Sequence, residues 1–558
     1  MKLSVYKQTF KGDLTGGLTA AILALPMGLA FGLQSGLGPQ AGLYTAIILA
    51  IVASIIAGTK TLISDPTGPM TFLAAVIIAG AIEKYAPGQD ISDPFSIPKV
   101  AALIVLTFAL TGVFQALFGL IKVANYVKYI SYPVLSGFMS GIGVIIILTQ
   151  WHSFFDAPRP SGGIISIISD IHTPFMEINF APMILGVSTI AIIYLMPYIS
   201  KKIPAGLVAL VGGTLISLLF AQGDFKTIGE IPTTLPEFRL FDMLANVDSE
   251  MVSLAIGNAL ALAGLGTIDT LLTSVVADNL TKTKHNGNRE LFGQGLGNFL
   301  TGVLGGIPGA GTTAATVANI NSNGRSNLSG ILKGVFLIIA ILGLGKILAM
   351  VPKSVLSALL ISVGIGIIDF KGMKRLIRLK NSDSLVLILA IILTVFVDLL
   401  VAVGVGMVLS SFFFMQRMGK IVDEQSKQGN IADMEKKLKI PESIRDRIFE
   451  YELDGPLFYG FSDQFKEQAE SLTGKDAVII NMSHVPYIDA SGIYVLEEVI
   501  QSYRTKHIEV ILVGVKDHIF KQFEELKVIP NTLPEEKAYN SVRSGLKYLK
   551  FQLENPDA

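Results

Sequence analysis

Long apolar segments recur along most of the chain before Arg417, and short polar or glycine-rich stretches separate them. A helix needs about 20 apolar residues to cross a bilayer, so these segments predict about fourteen spans, seven in each half. The predicted spans of the first half are Gly16–Leu37, Ala41–Gly58, Asp65–Ile82, Val100–Ile121, Ser131–Gln150, Ala181–Ile199 and Pro204–Ala221. Those of the second half are Met251–Val276, Leu291–Leu304, Pro308–Ile320, Leu328–Val351, Ser354–Phe370, Ser384–Ala402 and Val403–Met415. The predicted fold class is therefore an α-helical polytopic membrane protein.

The third apolar segment of each half is interrupted by proline and glycine. The interruptions are Ser64 to Pro69 and Gly305 to Gly311. Neither residue type continues a regular helix, so the chain is expected to be extended there, with a new helix starting inside the bilayer. Such a start presents unpaired N–H groups and the positive end of a helix dipole, which favour an anion. Two breaks at corresponding places predict inverted repeats and a transporter's substrate site.

The charges of the loops alternate along the predicted spans. The basic loops contain Lys2, Lys7, Lys11, Lys60, Lys122, Lys128, Lys201, Lys202, Lys282, Lys284, Arg289, Arg325, Lys371, Lys374, Arg375, Arg378 and Lys380. The acidic loops contain Asp90, Asp93, Asp156, Asp170, Asp224, Glu230, Glu237, Asp242, Asp248 and Glu250. Because short cytoplasmic loops carry the excess of lysine and arginine, both termini are predicted to be cytoplasmic, in a cell's inner (plasma) membrane.

Composition supports a membrane protein and argues against several kinds of chemistry. Hydrophobic residues make up 51% of the 558 residues and charged residues only 16%, with a mean hydropathy of +0.57. The chain has no cysteine, which excludes disulfides and thiolate chemistry. The six histidines form no close-spaced ligand pattern, and no P-loop or supported Ser-His-Asp arrangement is present. We expect neither an enzyme nor a primary pump, with no cofactor and no nucleic-acid partner.

The chain changes character after Arg417. Residues 421–445 are polar and form a predicted linker. Residues 446–558 alternate β-rich and helical runs, which is typical of a small α/β domain with a mainly parallel sheet. With an odd number of spans in each of two repeats, the chain crosses the membrane an even number of times and returns to the side where it began. This domain is therefore predicted to be cytoplasmic, like the N-terminus.

Several motifs resemble the SulP family of anion transporters. They are Gly17–Ala21, Ala24–Gly32, Asp65–Met70, Val276–Asn279 and Gly305–Pro308, and Ile488–Gly492 resembles the signature loop of a STAS domain. Within the family, the motifs are most similar to those of the sodium-dependent bicarbonate transporters of cyanobacteria. The resemblance implies a transport domain over residues 1–420, with inverted repeats at about 14–222 and 250–416. It also implies that one set of helices carries the substrate past the other by an elevator-like motion.

Asp269 is the main candidate for a cation ligand, because its carboxylate lies within a predicted span. A carboxylate within a span is costly and is expected to face a cavity and a partner, and Thr273 shares its helical face. Oxygen ligands suit a hard cation. The resemblance implies that Asp269, Thr273, Gly311 and Thr313 bind Na⁺. The alternative is a structural Asp269 that caps the neighbouring half-helix.

Thr67 and Thr312 stand at the two predicted half-helix starts, where their hydroxyls can donate to an anion. Gly311 and Thr313 adjoin this predicted anion site, and Met27, Ala30 and Phe31 are predicted to form its wall. The alternatives are plain N-caps for the threonines and plain core packing for the wall residues. Asp65 would repel an anion and is expected to be turned away or hydrogen-bonded, with proton carriage as the lesser option.

Two positions affect the expected substrate and regulation. Many relatives have an arginine where this chain has Ala315, so the anion would depend more on helix dipoles and a co-bound cation. Ser491 matches a phosphorylated serine of stand-alone STAS proteins, although a turn or N-cap role is the simpler interpretation. The function predicted is sodium-coupled bicarbonate uptake by a homodimer joined through the STAS domain. The alternatives are a proton-coupled sulfate or dicarboxylate transporter and an anion channel.

Overall fold

The structure is a computed structural model in which the chain forms two compact units, Met1–Met407 and Val408–Ala558. The residues it describes are 3–56, 58–88, 93–158, 160, 164–176, 180–200, 204–219, 225–228, 238–239, 246–379, 381–397, 399–425, 427–429, 444, 446–458, 465–466, 472 and 474–555. The residue limits predicted for the linker and the C-terminal domain stay predictions.

Among the described residues, the first half contains nine α-helices, two of them short. They are α1 (Leu3–Ser35), α2 (Pro39–Ile56), α3 (Gly68–Tyr85), α4 (Pro98–Leu120), α5 (Tyr132–Phe154), α6 (Ile164–Ser169), α7 (Thr173–Met176), α8 (Phe180–Ile199) and α9 (Ala205–Leu219). Proline occupies the first or second position of α3, α4 and α5. Its missing N–H is lost without cost there, because the first N–H groups of a helix have no partner within it.

The second half repeats this order. Its helices are α10 (Ser249–Thr281), α11 (Gly287–Val303), α12 (Thr313–Asn321), α13 (Leu328–Leu348), α14 (Lys353–Ile367), α15 (Phe370–Leu379), α16 (Ser382–Phe396) and α17 (Leu399–Gln425). Among the described residues, ten helical segments are long and apolar enough to cross a membrane, one of them formed by α14 together with α15. The helices α9, α11, α12 and α16 are shorter. These helices match the predicted spans one for one, which confirms the predicted fold class.

Two details of the predicted spans are wrong. The last two spans were expected to divide after Ala402, but α16 ends at Phe396 and α17 begins at Leu399. The apolar run there contains no glycine or proline. Its charged residue, Asp398, falls between the two helices in the sequence but lies outside the described residues. The basic loop after the twelfth span is in fact the helix α15, with charged and apolar residues on separate faces.

The helices of the membrane unit form two groups. Helices α1–α4 pack against α10–α13. Helix α8 packs against α5 and α9, all three pack against α14, and α16 packs against α5. Each group therefore combines corresponding helices of the two halves, as inverted repeats require. The closest packing joins α4 to α11, where a Cβ on Gly112 would meet the backbone of Gly295 and Phe299. Small residues allow this approach in the absence of a hydrophobic driving force between helices.

The two breaks cross each other inside the first group. The extended residues Ser64–Asp65 form β1 and Ala310–Gly311 form β2, and the two strands pair antiparallel, with Ser64 opposite Gly311. Each strand leads directly into a half-helix, α3 or α12. The predicted extended breaks and mid-span helix starts are thereby confirmed.

The C-terminal unit contains a five-stranded sheet in the order β3-β4-β5-β6-β7, formed by Lys427–Gly429, Ile448–Asp454, Ala477–His484, Glu509–Val513 and Ala538–Tyr539. Strands β4 to β7 are parallel, as predicted, and β3 is antiparallel to β4. The helices are α18 (Ala490–Thr505), α19 (Asp517–Glu525), α20 (Val528–Asn531) and α21 (Val542–Glu554). Alternate strand residues join two apolar cores, one containing α18 and the other α21, so both faces of the sheet are covered.

Candidate functional site

Thr67 and Thr312 are the residues immediately before α3 and α12. Both have extended backbones, with φ −114°, ψ 154° at Thr67 and φ −102°, ψ 125° at Thr312. Neither side chain accepts a capping hydrogen bond from its helix. The Thr67 hydroxyl is buried and has no hydrogen-bond partner among the described residues. The first N–H groups of both half-helices are therefore not satisfied by the side-chain capping that usually accounts for threonine at this position.

A cavity of about 240 Å³ lies beside the crossing of β1 and β2. On one side it is lined by Met27 and Phe31 of α1, by Asp65 and by Thr312. On the other side its lining comes from α8, α9 and α14, so it lies between the two helix groups. Ala30 is fully buried in the core and does not line the cavity. Of the three predicted wall residues, the structure therefore brings two to the cavity.

Three of the four predicted cation ligands are in direct contact. The Thr273 hydroxyl donates to the Gly311 carbonyl oxygen over 2.9 Å and lies 2.9 Å from the Thr313 hydroxyl. Thr270, on the same helix α10, accepts a hydrogen bond from the Gly311 N–H at 3.1 Å. These contacts join α10 to β2 and to the first residue of α12. They place two hydroxyl oxygens and one carbonyl oxygen together, which is the ligand chemistry of a hard cation.

Asp269 lies one helical turn before Thr273. One of its carboxylate oxygens is buried without a hydrogen-bond partner among the described residues. Its carboxylate interacts with the Thr67 side chain, but the two do not form a hydrogen bond of good geometry, since the Thr67 hydroxyl also lacks a partner. Asp269 therefore lies next to the residue that precedes α3 and one helical turn from Thr273.

A stripe of polar side chains on α11 holds both breaks in place. Glu290 accepts hydrogen bonds from the Gly58 and Thr59 N–H groups at 2.9 and 2.7 Å. Asn298 bonds to Gly309 in both directions, accepting from its N–H at 2.8 Å and donating to its carbonyl at 2.9 Å. Between them, Gln294 donates to the Ser64 hydroxyl. This stripe was not predicted from the sequence, although polar residues at four-residue spacing within an apolar helix indicate a polar face.

Asp65 is hydrogen-bonded, as expected from the sequence, and its partner is Lys333 of α13, which was not predicted. Lys333 is fully buried and donates to the Asp65 carboxylate, to the Ser64 carbonyl at 2.8 Å and to the Ala46 carbonyl at 3.1 Å. A lysine inside an apolar span is costly unless it is paired, so its presence in the eleventh span could have indicated a partner for Asp65. Ala315 also lines the cavity and provides no charge.

Ser491 is the second residue of α18 in the C-terminal unit. Asp489 is the N-cap of this helix, and its carboxylate accepts a hydrogen bond from the Gly492 N–H at 2.8 Å. Ser491 is half-buried at the strand-to-helix turn. The Asp489 geometry agrees with the simpler interpretation of the motif as a turn and N-cap, and phosphorylation of Ser491 stays a prediction.

Comparison with known proteins identifies the family of both units. Residues 10–390 match the sulfate permease family, and residues 439–544 match the STAS domain. The chain is 37% identical to the bicarbonate transporter BicA of Synechocystis sp. over 497 residues, which covers 88% of this chain and 85% of that protein. This match confirms the predicted similarity to cyanobacterial bicarbonate transporters.

Solved structures agree with the fold. The transmembrane domain of a cyanobacterial BicA is 41% identical, with a TM-score of 0.64, and the match covers 71% of this chain and 98% of that domain. The murine anion transporter Slc26a9 in its inward-facing state is 20% identical, with a TM-score of 0.82, covering 97% of this chain and 91% of that one. The protein is an integral, multi-pass membrane protein. It belongs to the sulfate permease (SulP) family of anion transporters and carries a C-terminal STAS domain.

Proposed function

We propose that the protein takes up bicarbonate together with Na⁺. The observation that carries this proposal is the crossing of β1 and β2, which leads into two half-helix starts that no threonine side chain caps. The Thr67 side chain at one of these starts lies beside Asp269. Helix N-termini favour an anion, whereas a carboxylate with neighbouring hydroxyl and carbonyl oxygens favours a cation. The arrangement supports adjacent binding of the two ions.

Charge balance supports a coupled cation. The described residues that line the cavity provide no unpaired positive charge, since Ala315 is uncharged and Asp65 is paired with Lys333. A bound Na⁺ at Asp269, Thr273, Gly311 and Thr313 would neutralise the Asp269 carboxylate next to the anion. Each ion would then strengthen the binding of the other. The similarity to BicA, which is named as a bicarbonate transporter, supports bicarbonate as the anion.

The elevator-like motion belongs to the same proposal. The proposed ligands come from α10, β2, α12 and the residues just before α3 and α12, all in the first helix group. The far wall of the cavity comes from α8, α9 and α14. A substrate bound by the first group would cross the membrane when that group moves along the second. We further propose that both termini are cytoplasmic, that the membrane is a plasma membrane and that STAS domains join two copies into a homodimer.

An uptake assay on purified protein in liposomes tests this function. Labelled bicarbonate, sulfate and fumarate would each be offered with an inward Na⁺ gradient, with an equal K⁺ gradient and with a proton gradient. We expect bicarbonate to accumulate above its equilibrium level with the Na⁺ gradient alone. Accumulation of sulfate or fumarate with protons would favour the alternative transporter. Equilibration of the anion without any cation dependence would identify a channel.

A further inference from the structure

The buried Lys333–Asp65 pair lies directly behind the crossing of β1 and β2. Lys333 donates to three oxygens, the Asp65 carboxylate and the carbonyls of Ser64 and Ala46. An ammonium group has three hydrogens, so these contacts use all of them. Lys333 therefore has no donor left for a ligand in the cavity, and it can influence such a ligand only through Asp65 and the backbone of β1.

Asp65 is the partner that faces the cavity. It lines the cavity together with Thr312, Met27 and Phe31, and among the described lining residues it alone carries a charged side chain. Without Lys333, the wall of the proposed anion site would carry an uncompensated carboxylate. Repulsion between like charges is strong where water is scarce, so this carboxylate would oppose anion binding.

We propose that Lys333 is a positioning residue that sets the charge of the substrate cavity, cancelling Asp65 so that the site accepts an anion. This inference rests on the proposed function, because it needs an anion in the cavity. Lys333 would then provide part of the positive charge that an arginine at position 315 would provide in place of Ala315. Its hydrogen bonds to Ser64 and Ala46 also fix β1 against α2 and α13, so the compensating charge stays at one place.

The two single substitutions leave charges of opposite sign. Lys333→Met leaves a bare carboxylate at the cavity, and Asp65→Asn leaves a bare ammonium behind it. Both remove one partner of a buried pair, so both are expected to lower stability. A purely structural pair would affect anion affinity in the same direction in both variants, whereas a charge-setting pair would shift it in opposite directions.

The experiment measures the apparent KM for the transported anion in liposomes, at saturating Na⁺ and with the amount of inserted protein measured for each variant. The variants are Lys333→Met, Asp65→Asn, the double variant, and Lys346→Met as a control on an exposed lysine of the same helix. We expect Lys333→Met to raise KM by about tenfold or more. Asp65→Asn should lower KM, and the double variant and the control should stay within about twofold of the original chain.

An unchanged KM in inserted Lys333→Met, or an increase of similar size in both single variants, would overturn the inference. If Lys333→Met does not insert into the membrane, the Asp65→Asn variant alone tests the inference. An increase of KM in Asp65→Asn would contradict the proposal that the Asp65 carboxylate opposes anion binding. The assay uses whichever anion the original chain carries, so a different anion would correct the proposed substrate without removing this test. If the original chain carries no anion, the proposed function fails first.

Discussion

At the scale of single residues, the threonines before α3 and α12 stand at helix starts that their side chains do not cap. Threonine is common at a helix start because its side chain caps the first N–H groups. Here neither Thr67 nor Thr312 accepts such a bond, and the Thr67 hydroxyl has no partner among the described residues. A buried hydroxyl without a partner is unfavourable, so a ligand that accepts its hydrogen bond would be stabilised at this place.

Replacement of either threonine by valine is expected to weaken anion binding. A hydrogen bond to a charged group contributes about 1.5 to 3 kcal/mol, which corresponds to about ten- to a hundredfold in apparent affinity. The measurement is the apparent KM of anion uptake for Thr67→Val and Thr312→Val. Thr214→Val is the control, because that hydroxyl donates to the Leu210 carbonyl of its own helix and lies within α9 rather than before a half-helix. An unchanged KM in both site variants, with normal insertion, would remove these hydroxyls from the anion site.

Sequence reasoning predicted residues that share a motif or a helical face better than residues that meet through packing. Asp269 and Thr273 are one turn apart, and Thr273 contacts Gly311 and Thr313 as the resemblance implied. Lys333 pairs with Asp65 from a different helix, and the sequence around either residue does not predict this pairing. Ala30 was assigned to the cavity wall together with Met27 and Phe31, but it lies on the face of α1 that is buried in the core.

At the scale of elements, the crossing of β1 and β2 determines where both half-helices start. Asn298 of α11 holds Gly309, and Gln294 holds Ser64, so one helix fixes both strands. The breaks were predictable because proline and glycine mark them. Their pairing across the two halves was not, since it depends on how the repeats pack. The boundary between α16 and α17 was placed wrongly because neither proline nor glycine stands there, and the single aspartate, Asp398, is a weaker signal for a helix end.

A methyl group at Gly309 is expected to separate the two strands. A Cβ there would overlap the Asp65 carbonyl oxygen and lie 2.7 Å from the Leu49 side chain. Overpacking of this kind costs about 1 to 3 kcal/mol, and here it would displace the half-helix starts as well. We expect Gly309→Ala to lower the melting temperature in detergent and to abolish most anion uptake.

The matched control for that change is Gly343→Ala. Gly343 lies within α13, and nothing lies within 4 Å of the position that its Cβ would take. This variant should keep both stability and uptake. Full uptake in Gly309→Ala would show that the site tolerates movement of the crossing, contrary to the proposed role of the strands.

At the scale of the whole molecule, the proposed ligands all belong to the membrane unit, and the STAS domain matches a separate part of the chain. A chain that ends after Gln428 should therefore still bind the anion with an unchanged dissociation constant, because it keeps every residue proposed to contact the anion. Isothermal titration of the shortened, monodisperse protein would measure this. The shortened chain is expected to form fewer dimers or to reach the membrane less well. Loss of anion binding itself would contradict the proposal that the membrane unit alone binds the anion.

Sodium dependence of uptake tests the central claim most directly. Initial rates of anion uptake would be measured against Na⁺ concentration for the original chain, Asp269→Asn, Thr273→Val and the control Glu250→Gln, an exposed carboxylate at the start of the same helix. We predict that Na⁺ stimulates the original chain and the control, that Thr273→Val weakens the stimulation and that Asp269→Asn abolishes it. A neutral amide lowers the cost of insertion, so the variant should still reach the membrane. Stimulation retained in Asp269→Asn, or absent from the original chain, would contradict coupling at this site.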